Sequence, residues 1–133
     1  MRVDGATLDG RLPRPAPTPR PAPTPAPLAR ILAFAIQVRA AVEGGQVRDY
    51  ATVARALGVS RQRISVLVRL TFLAPDIQDQ ILALTTRGST PTERAVFERV
   101  AREVSWARQR VAWEHLRALH DAEVDGRALR DGR

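Results

Sequence analysis

The chain has 133 residues and no cysteine, so its length suits one compact core plus a tail. The missing cysteines exclude disulfides, thiolate metal sites and a cysteine nucleophile. Apolar residues make up 44% of the chain and aromatic residues only 5%, which favours an all-α globule. The formal net charge is +7, and all 21 basic residues are arginine.

Arginine binds phosphate or guanine through two parallel hydrogen bonds, so the charge makes nucleic acid the leading partner class. A GC-rich coding sequence would also replace lysine by arginine, but it does not account for the excess of positive charge. No stretch is long enough to span a membrane, and the first residues lack the apolar region of a signal peptide. We therefore expect a cytoplasmic protein with no membrane partner.

Residues 13–27 contain eight of the ten prolines, at every second position, and repeat the hexamer RPAPTP. Alternating prolines impose an extended polyproline II conformation. We therefore expect residues 1–27 to form a disordered N-terminus and a stiff Pro-rich arm. The arm carries Arg14 and Arg20, and it is either a semi-rigid spacer or a basic arm that touches DNA or a partner protein.

The next residues show helical periodicity, with apolar side chains spaced by three and four. This pattern predicts a first helix from residue 28 to the glycines at 44 and 45. A short second helix follows over residues 49–57 with Asp49 as its N-cap, and a third helix over 60–70 has Ser60 as its N-cap. The sequence thus predicts a helix-turn-helix domain over residues 28–88.

Pro75 and Asp76 are expected to start a fourth helix. Thr90, Pro91 and Glu93 predict a capping box that opens a long helix, which Ser105 breaks or kinks. Together these segments give five to six helices.

The C-terminal helical extension is predicted over residues 89–120. A flexible tail over 121–133 is expected to fray.

Residues 50–69, YATVARALGVSRQRISVLVR, fit the twenty-residue helix-turn-helix template. A small residue, Ala54, lets two helices cross closely, and Gly58 favours the positive φ of the tight turn. Apolar side chains are then expected to wedge the two helices at a fixed angle. The predicted core of the motif consists of Val53, Ala54, Leu57, Gly58, Val59, Ile64 and Leu67.

In such a motif the second helix lies in the major groove, with its N-terminal residues at the base edges. Arg61 is expected to bind guanine, Gln62 adenine, and Ser65 a base or a phosphate. The alternative for Gln62 is an ordinary solvated side chain. The predicted phosphate contacts are Ser60, Arg63, Arg69, Arg48 and Arg55.

Two further features have alternative interpretations. Arg63 either contacts a phosphate or pairs with a nearby acid such as Asp49 or Glu43. Trp106 and Trp113 lie seven residues apart on one helix face, which suits either a core stripe or the seam of a homodimer.

The run DYATVARALGVSRQRISVLVRLTFLAPDIQDQIL resembles the helix-turn-helix core of the ParB and KorB family. The likeness lies in the small residue and glycine turn, the following Ser-Arg, the stretch ISVLVRLTFLAP and the proline-started helix. Over residues 30–116 the chain is similar to small helix-turn-helix proteins encoded beside serine recombinases in bacterial mobile elements. The resemblance implies specific duplex binding in a nucleoid-associated bacterial protein, with Ser60, Arg61, Gln62 and Ser65 at the recognition positions.

No catalytic residue, metal site or cofactor is predicted. His115 and His120 are five residues apart and so point to different sides of a helix, and no glycine-rich phosphate loop occurs. The predicted function is sequence-specific binding of double-stranded DNA by a transcriptional regulator or an accessory factor of a mobile element. The alternative is an adaptor that docks a recombinase or another protein through the Pro-rich arm and the C-terminal helix.

Overall fold

A computed structural model describes residues 22–131 of the chain. This part is mostly helical and contains no β-strand, which confirms the all-α prediction. Residues 1–21, which include most of the predicted arm, lie outside the described residues. The helices in chain order are α1 (Pro27–Glu43), α2 (Tyr50–Leu57), α3 (Arg61–Arg69), α4 (Pro75–Leu82), α5 (Glu93–Val96) and α6 (Trp106–Asp131).

Local sequence signals start the first four helices, and stop the first three, close to where the sequence predicts, whereas α4 already ends at Leu82 and not near Gly88 as its apolar pattern predicts. Pro27 and Pro75 stand in the first turns of α1 and α4, where the missing N–H of proline costs no helical hydrogen bond. Gly44 ends α1. A 3₁₀ turn at Leu70–Phe72 follows α3 and turns the chain toward α4.

The start of α5 differs from the prediction. The hydroxyl of Thr92 accepts a hydrogen bond from the Ala95 N–H at 3.1 Å, so Thr92 is the N-cap. The capping box predicted at Thr90 is therefore wrong. Pro91 precedes the cap and is buried, so it packs into the fold instead of opening the helix.

The long helix predicted after this point is broken. A π-helical turn at Phe97–Ala101 follows α5, and Ser105 then caps α6 by accepting a hydrogen bond from the Arg108 N–H at 3.1 Å. The break at Ser105 is confirmed. However, α6 continues to Asp131, so the frayed tail predicted from residue 121 is helical as far as residue 131. Strong helix formers such as alanine, leucine and arginine in this stretch outweigh the single Gly126.

The last residues of the proline-rich segment belong to the folded unit. Pro25 forms an isolated antiparallel bridge with Thr85. The Ala26 N–H donates to the Leu84 carbonyl, and the Thr24 carbonyl accepts from Thr86 N–H, both at 2.9 Å. Alternation with proline leaves every second residue a free N–H, which makes this pairing available. The prediction that residues 24–26 belong to an extended arm outside the fold is therefore wrong.

Two groups of buried apolar residues hold the helices together. The larger group, which we call the main core, lies among α1, α4, the α5 region and α6. The smaller group, the corner core, lies where α2 and α3 cross beside α1. The main core contains Ala26, Leu28, Leu32, Leu70, Leu73, Ala74, Ile77, Ile81, Leu84, Val96, Val100, Trp113 and Leu116, and the corner core contains Val38, Ala54, Ile64 and Val68.

Two side chains of α6 tie this helix to α4. Gln109 is buried, and its carbonyl accepts from the Ala74 N–H while its amide donates to the Glu103 carbonyl, both at 2.9 Å. The indole of Trp113 donates to Gln80 Oε1 at 2.7 Å. Burial of both polar groups is therefore compensated by hydrogen bonds.

The two tryptophans have different environments. Trp113 is 1% exposed and lies in the main core, whereas Trp106 is 49% exposed. The Trp106 indole donates to the Phe72 carbonyl at 3.3 Å. Trp106 and Trp113 therefore do not form a continuous core stripe, which is one of the two alternatives given for them above. No helix within residues 22–131 has both the length and the hydropathy needed to cross a bilayer.

Candidate nucleic-acid interface

The candidate interface is built on α2, α3 and the turn between them, which we call the α2–α3 corner (residues 49–69). Asp49 caps α2, and its carboxylate accepts from the Thr52 hydroxyl and the Thr52 N–H, both at 2.8 Å. These hydrogen bonds, the hydroxyl first, lower the pKa of Asp49 below its ordinary value, so the cap stays charged at neutral pH. The predicted N-cap is confirmed.

The turn depends on Gly58, which has a φ of 70°. This left-handed conformation is strained for residues with a Cβ atom, as the sequence predicts. After the turn, the Ser60 hydroxyl caps α3 by accepting a hydrogen bond from the Arg63 N–H at 3.0 Å. The two caps and the glycine fix where α2 ends and α3 begins.

Only part of the predicted apolar wedge is buried. Ala54, Ile64 and Leu67 are buried, and Val53 packs against the corner core while half-buried. The predicted burial of Leu57 and Val59, on the two sides of the turn, is wrong, because Leu57 is 49% exposed and Val59 is 42% exposed. The corner core lies beneath the crossing of the helices, and the turn extends beyond its edge.

The polar side of α3 is open to solvent. Arg61, Gln62 and Ser65 are all exposed, and within residues 22–131 their side chains form no hydrogen bond or ion pair. Arg69, near the end of the helix, is also exposed, and its guanidinium lies 5.8 Å from the centroid of the Phe97 ring. These four side chains are therefore available to an incoming ligand.

Arg63 has a different environment. Its guanidinium forms two hydrogen bonds with the carboxylate of Glu93 in the first turn of α5, one of them at 2.9 Å, and this pairing raises the pKa of Arg63. The acids named by the sequence are engaged elsewhere, since Asp49 caps α2 and Glu43 pairs with Arg39 at 2.9 Å. The predicted ion pair exists, but with another partner, and it joins α3 to α5.

Arg48 and Arg55 lie at the two ends of α2, and both are exposed. Arg55 is held loosely by the Thr52 hydroxyl at 3.4 Å. The α2–α3 corner therefore carries arginines on both of its helices, as a surface for a polyanion requires.

Sequence reasoning missed two residues of this surface. Glu93 lies 30 positions from Arg63 along the chain, so no local pattern links them. Val66 lies on the outward side of α3 and lines an open groove with Arg69 and Phe97. A helical projection of α3 would have found Val66, because it lies four residues after Gln62 and three before Arg69.

Within residues 22–131, no group of three or more metal-ligating side chains comes together. His120 is hydrogen-bonded to the Ser89 hydroxyl at 2.9 Å. The grooves on this part of the surface are open to solvent.

In comparisons with known proteins, no protein-family model, no curated protein and no solved structure gives a significant match to this chain.

Proposed function

We propose that this chain binds specific sequences in double-stranded DNA through a helix-turn-helix formed by α2 and α3. In this proposal α3 enters the major groove, where Arg61 binds guanine, Gln62 binds adenine, and Ser65 contacts a base or a phosphate. The proposal includes a role as a transcriptional regulator or as an accessory factor of a mobile element. The resemblance of the α2–α3 corner to the ParB and KorB family supports it.

The observation that carries the proposal is the exposed, unpaired start of α3. Arg61 and Gln62 occupy the first turn of a helix whose other face is buried, so they project from a rigid support. Both side chains lack hydrogen-bond partners within residues 22–131. This is expected for a surface that forms its hydrogen bonds with a bound ligand. Recognition helices place their first residues at the base edges in this way.

The surrounding arginines supply contacts of a second kind. Arg55 and Arg69 are exposed on the corner, and Arg48 is exposed directly before it. These three arginines are proposed to contact phosphates, as is Ser60 at the start of α3. Phosphate contacts give affinity and fix the register on the duplex without reading sequence. Arg63 is left out of this set because Glu93 occupies its guanidinium.

The test is a selection of bound fragments from a random duplex pool, followed by titration of the selected site and a scrambled control. Both titrations run from about 50 to 200 mM salt, a range over which phosphate contacts weaken steeply. A selected motif that keeps its advantage at high salt supports the proposal, and a palindrome would indicate that two copies bind together. If no motif emerges and all binding is lost with salt, the proposal is wrong.

An adaptor function is the second candidate, and one observation favours it. The outer side of α6 exposes Val111 and Leu119, at 58% and 49%, with no partner inside the described residues. The double variant Val111→Asp and Leu119→Asp would separate the two functions. DNA binding by the corner should persist in this variant, whereas docking of a protein partner on α6 should be lost.

A further inference from the structure

Val66 lies on the outward face of α3, among residues that the proposed function places against DNA. Steps of four and three residues keep side chains on one helix face, so Gln62, Val66 and Arg69 form a single outward line. The opposite face is buried, as Ile64 and Leu67 show. Within the outward line, Gln62 and Arg69 are exposed and Val66 is half-buried. An apolar side chain is therefore accessible in the middle of a polar surface.

The surroundings of Val66 leave it open on the outward side. It lines a groove between α3 and α5 with Arg69 and Phe97, and this groove opens to solvent. A β-branched side chain in a helix keeps one preferred rotamer. The methyl groups of Val66 therefore present a fixed apolar surface beside two polar side chains.

The major groove of DNA offers only one methyl group at the base edges, the C5-methyl of thymine. The polar groups there are hydrogen-bond donors or acceptors, which valine cannot engage. We propose that Val66 contacts a thymine methyl, so that the preferred site contains an essential thymine beside the bases bound by Arg61 and Gln62. This inference rests on the proposed function and adds a base that the polar residues do not read.

The test replaces each thymine of the selected duplex, one at a time, by deoxyuridine, which lacks only the C5-methyl. At one position the full-length protein should bind about fourfold more weakly, since one buried methyl group contributes about 0.8 kcal/mol. Val66→Ala shortens the apolar side chain, so it should bind the thymine duplex more weakly and should distinguish less between thymine and deoxyuridine at that position.

Val104→Ala is the matched control, because it makes the same change at an exposed valine just before α6, outside the α2–α3 corner. It should give the same deoxyuridine profile as the unaltered protein. Thermal unfolding checks that Val66→Ala remains folded. If it does not, Val66→Thr keeps the side-chain shape, replaces one methyl by a hydroxyl, and should reduce the discrimination at the same position.

Three results would overturn the inference. The selected site contains no thymine, or no deoxyuridine substitution weakens binding, or Val66→Ala retains the full discrimination. In each of these cases sequence-specific binding itself still stands. A selection that yields no motif instead removes the proposed function, so the two failures are distinguishable.

Discussion

The main core and the α2–α3 corner are built in different ways. The main core buries large side chains from α1, α4 and α6, including Trp113, Leu32 and Ile81. The corner core contains four buried residues, one of which is Ala54, and the corner relies on two helix caps, a glycine turn and the Arg63–Glu93 link.

This difference separates stability from binding. Burial of apolar area is the largest favourable term in folding, so the main core should dominate the free energy of unfolding. The corner instead exposes arginine, glutamine and serine on α3. Substitutions in the main core should therefore lower the free energy of unfolding most, whereas substitutions of the exposed polar side chains of α3 should change binding and leave the fold intact.

The largest expected effect is at Trp113. Trp113→Ala removes a fully buried side chain and its hydrogen bond to Gln80, and it should lower the free energy of unfolding by about 3 to 5 kcal/mol. Urea unfolding followed by circular dichroism measures this loss. Trp106→Ala is the control, because that tryptophan is half-exposed and should cost far less. Equal losses would mean that the main core does not carry the stability assigned to it.

The second prediction concerns binding. Arg61→Ala should weaken binding to the selected duplex by about 1 to 3 kcal/mol and hardly change binding to random duplex, because it removes a base contact. Its unfolding curve should match that of the unaltered chain, since Arg61 has no partner within residues 22–131. Arg69→Ala, the proposed phosphate contact, should weaken both complexes alike. A uniform loss from Arg61→Ala would refute its base-reading role.

Features that depend only on neighbouring residues can be predicted from the sequence. Caps, prolines and glycines act within a few residues, so the helix starts at Asp49 and Ser60 and the turn at Gly58 follow from local sequence. The exposed polar face of α3 follows from helical periodicity in the same way.

The remaining features depend on packing between distant segments. The Arg63–Glu93 pair requires α5 to lie beside α3, and the pairing of residues 24–26 with 84–86 requires the same kind of long-range contact. The exposure of Leu57 and Val59 depends on how far the corner core extends. Local sequence patterns contain no information on which distant segments pack together. The sequence therefore predicts which residue types lie at the site but does not predict their partners.

The third prediction separates the two roles assigned to Ser60. Ser60→Ala removes the N-cap of α3 and should lower the free energy of unfolding by about 1 kcal/mol. Ser60→Asp restores a cap, so stability should return, but its negative charge should repel a phosphate and weaken DNA binding. Chemical unfolding and duplex titration of both variants measure the two effects. Full DNA affinity in Ser60→Asp would show that no phosphate lies near this residue.

A smaller effect on stability than that of Ser60→Ala is expected at Glu93. The pair with Arg63 is partly exposed, with side chains 45% and 18% accessible, so solvent screens it and Glu93→Gln should cost less than about 1 kcal/mol. The same change releases the Arg63 guanidinium beside α3. Binding to random duplex should therefore strengthen, and the slope of log K against log salt should steepen by about 0.9 if Arg63 gains one phosphate.

Glu114→Gln is the matched control for this last change. It alters the net charge equally, but Glu114 is exposed on α6 and forms no ion pair within residues 22–131, so no arginine is released. Its salt slope should stay close to that of the unaltered chain. If both variants steepen the slope equally, the effect comes from net charge alone. If only Glu93→Gln does so, the link that stabilises the corner also keeps one arginine away from DNA, and structure and binding compete for the same side chain.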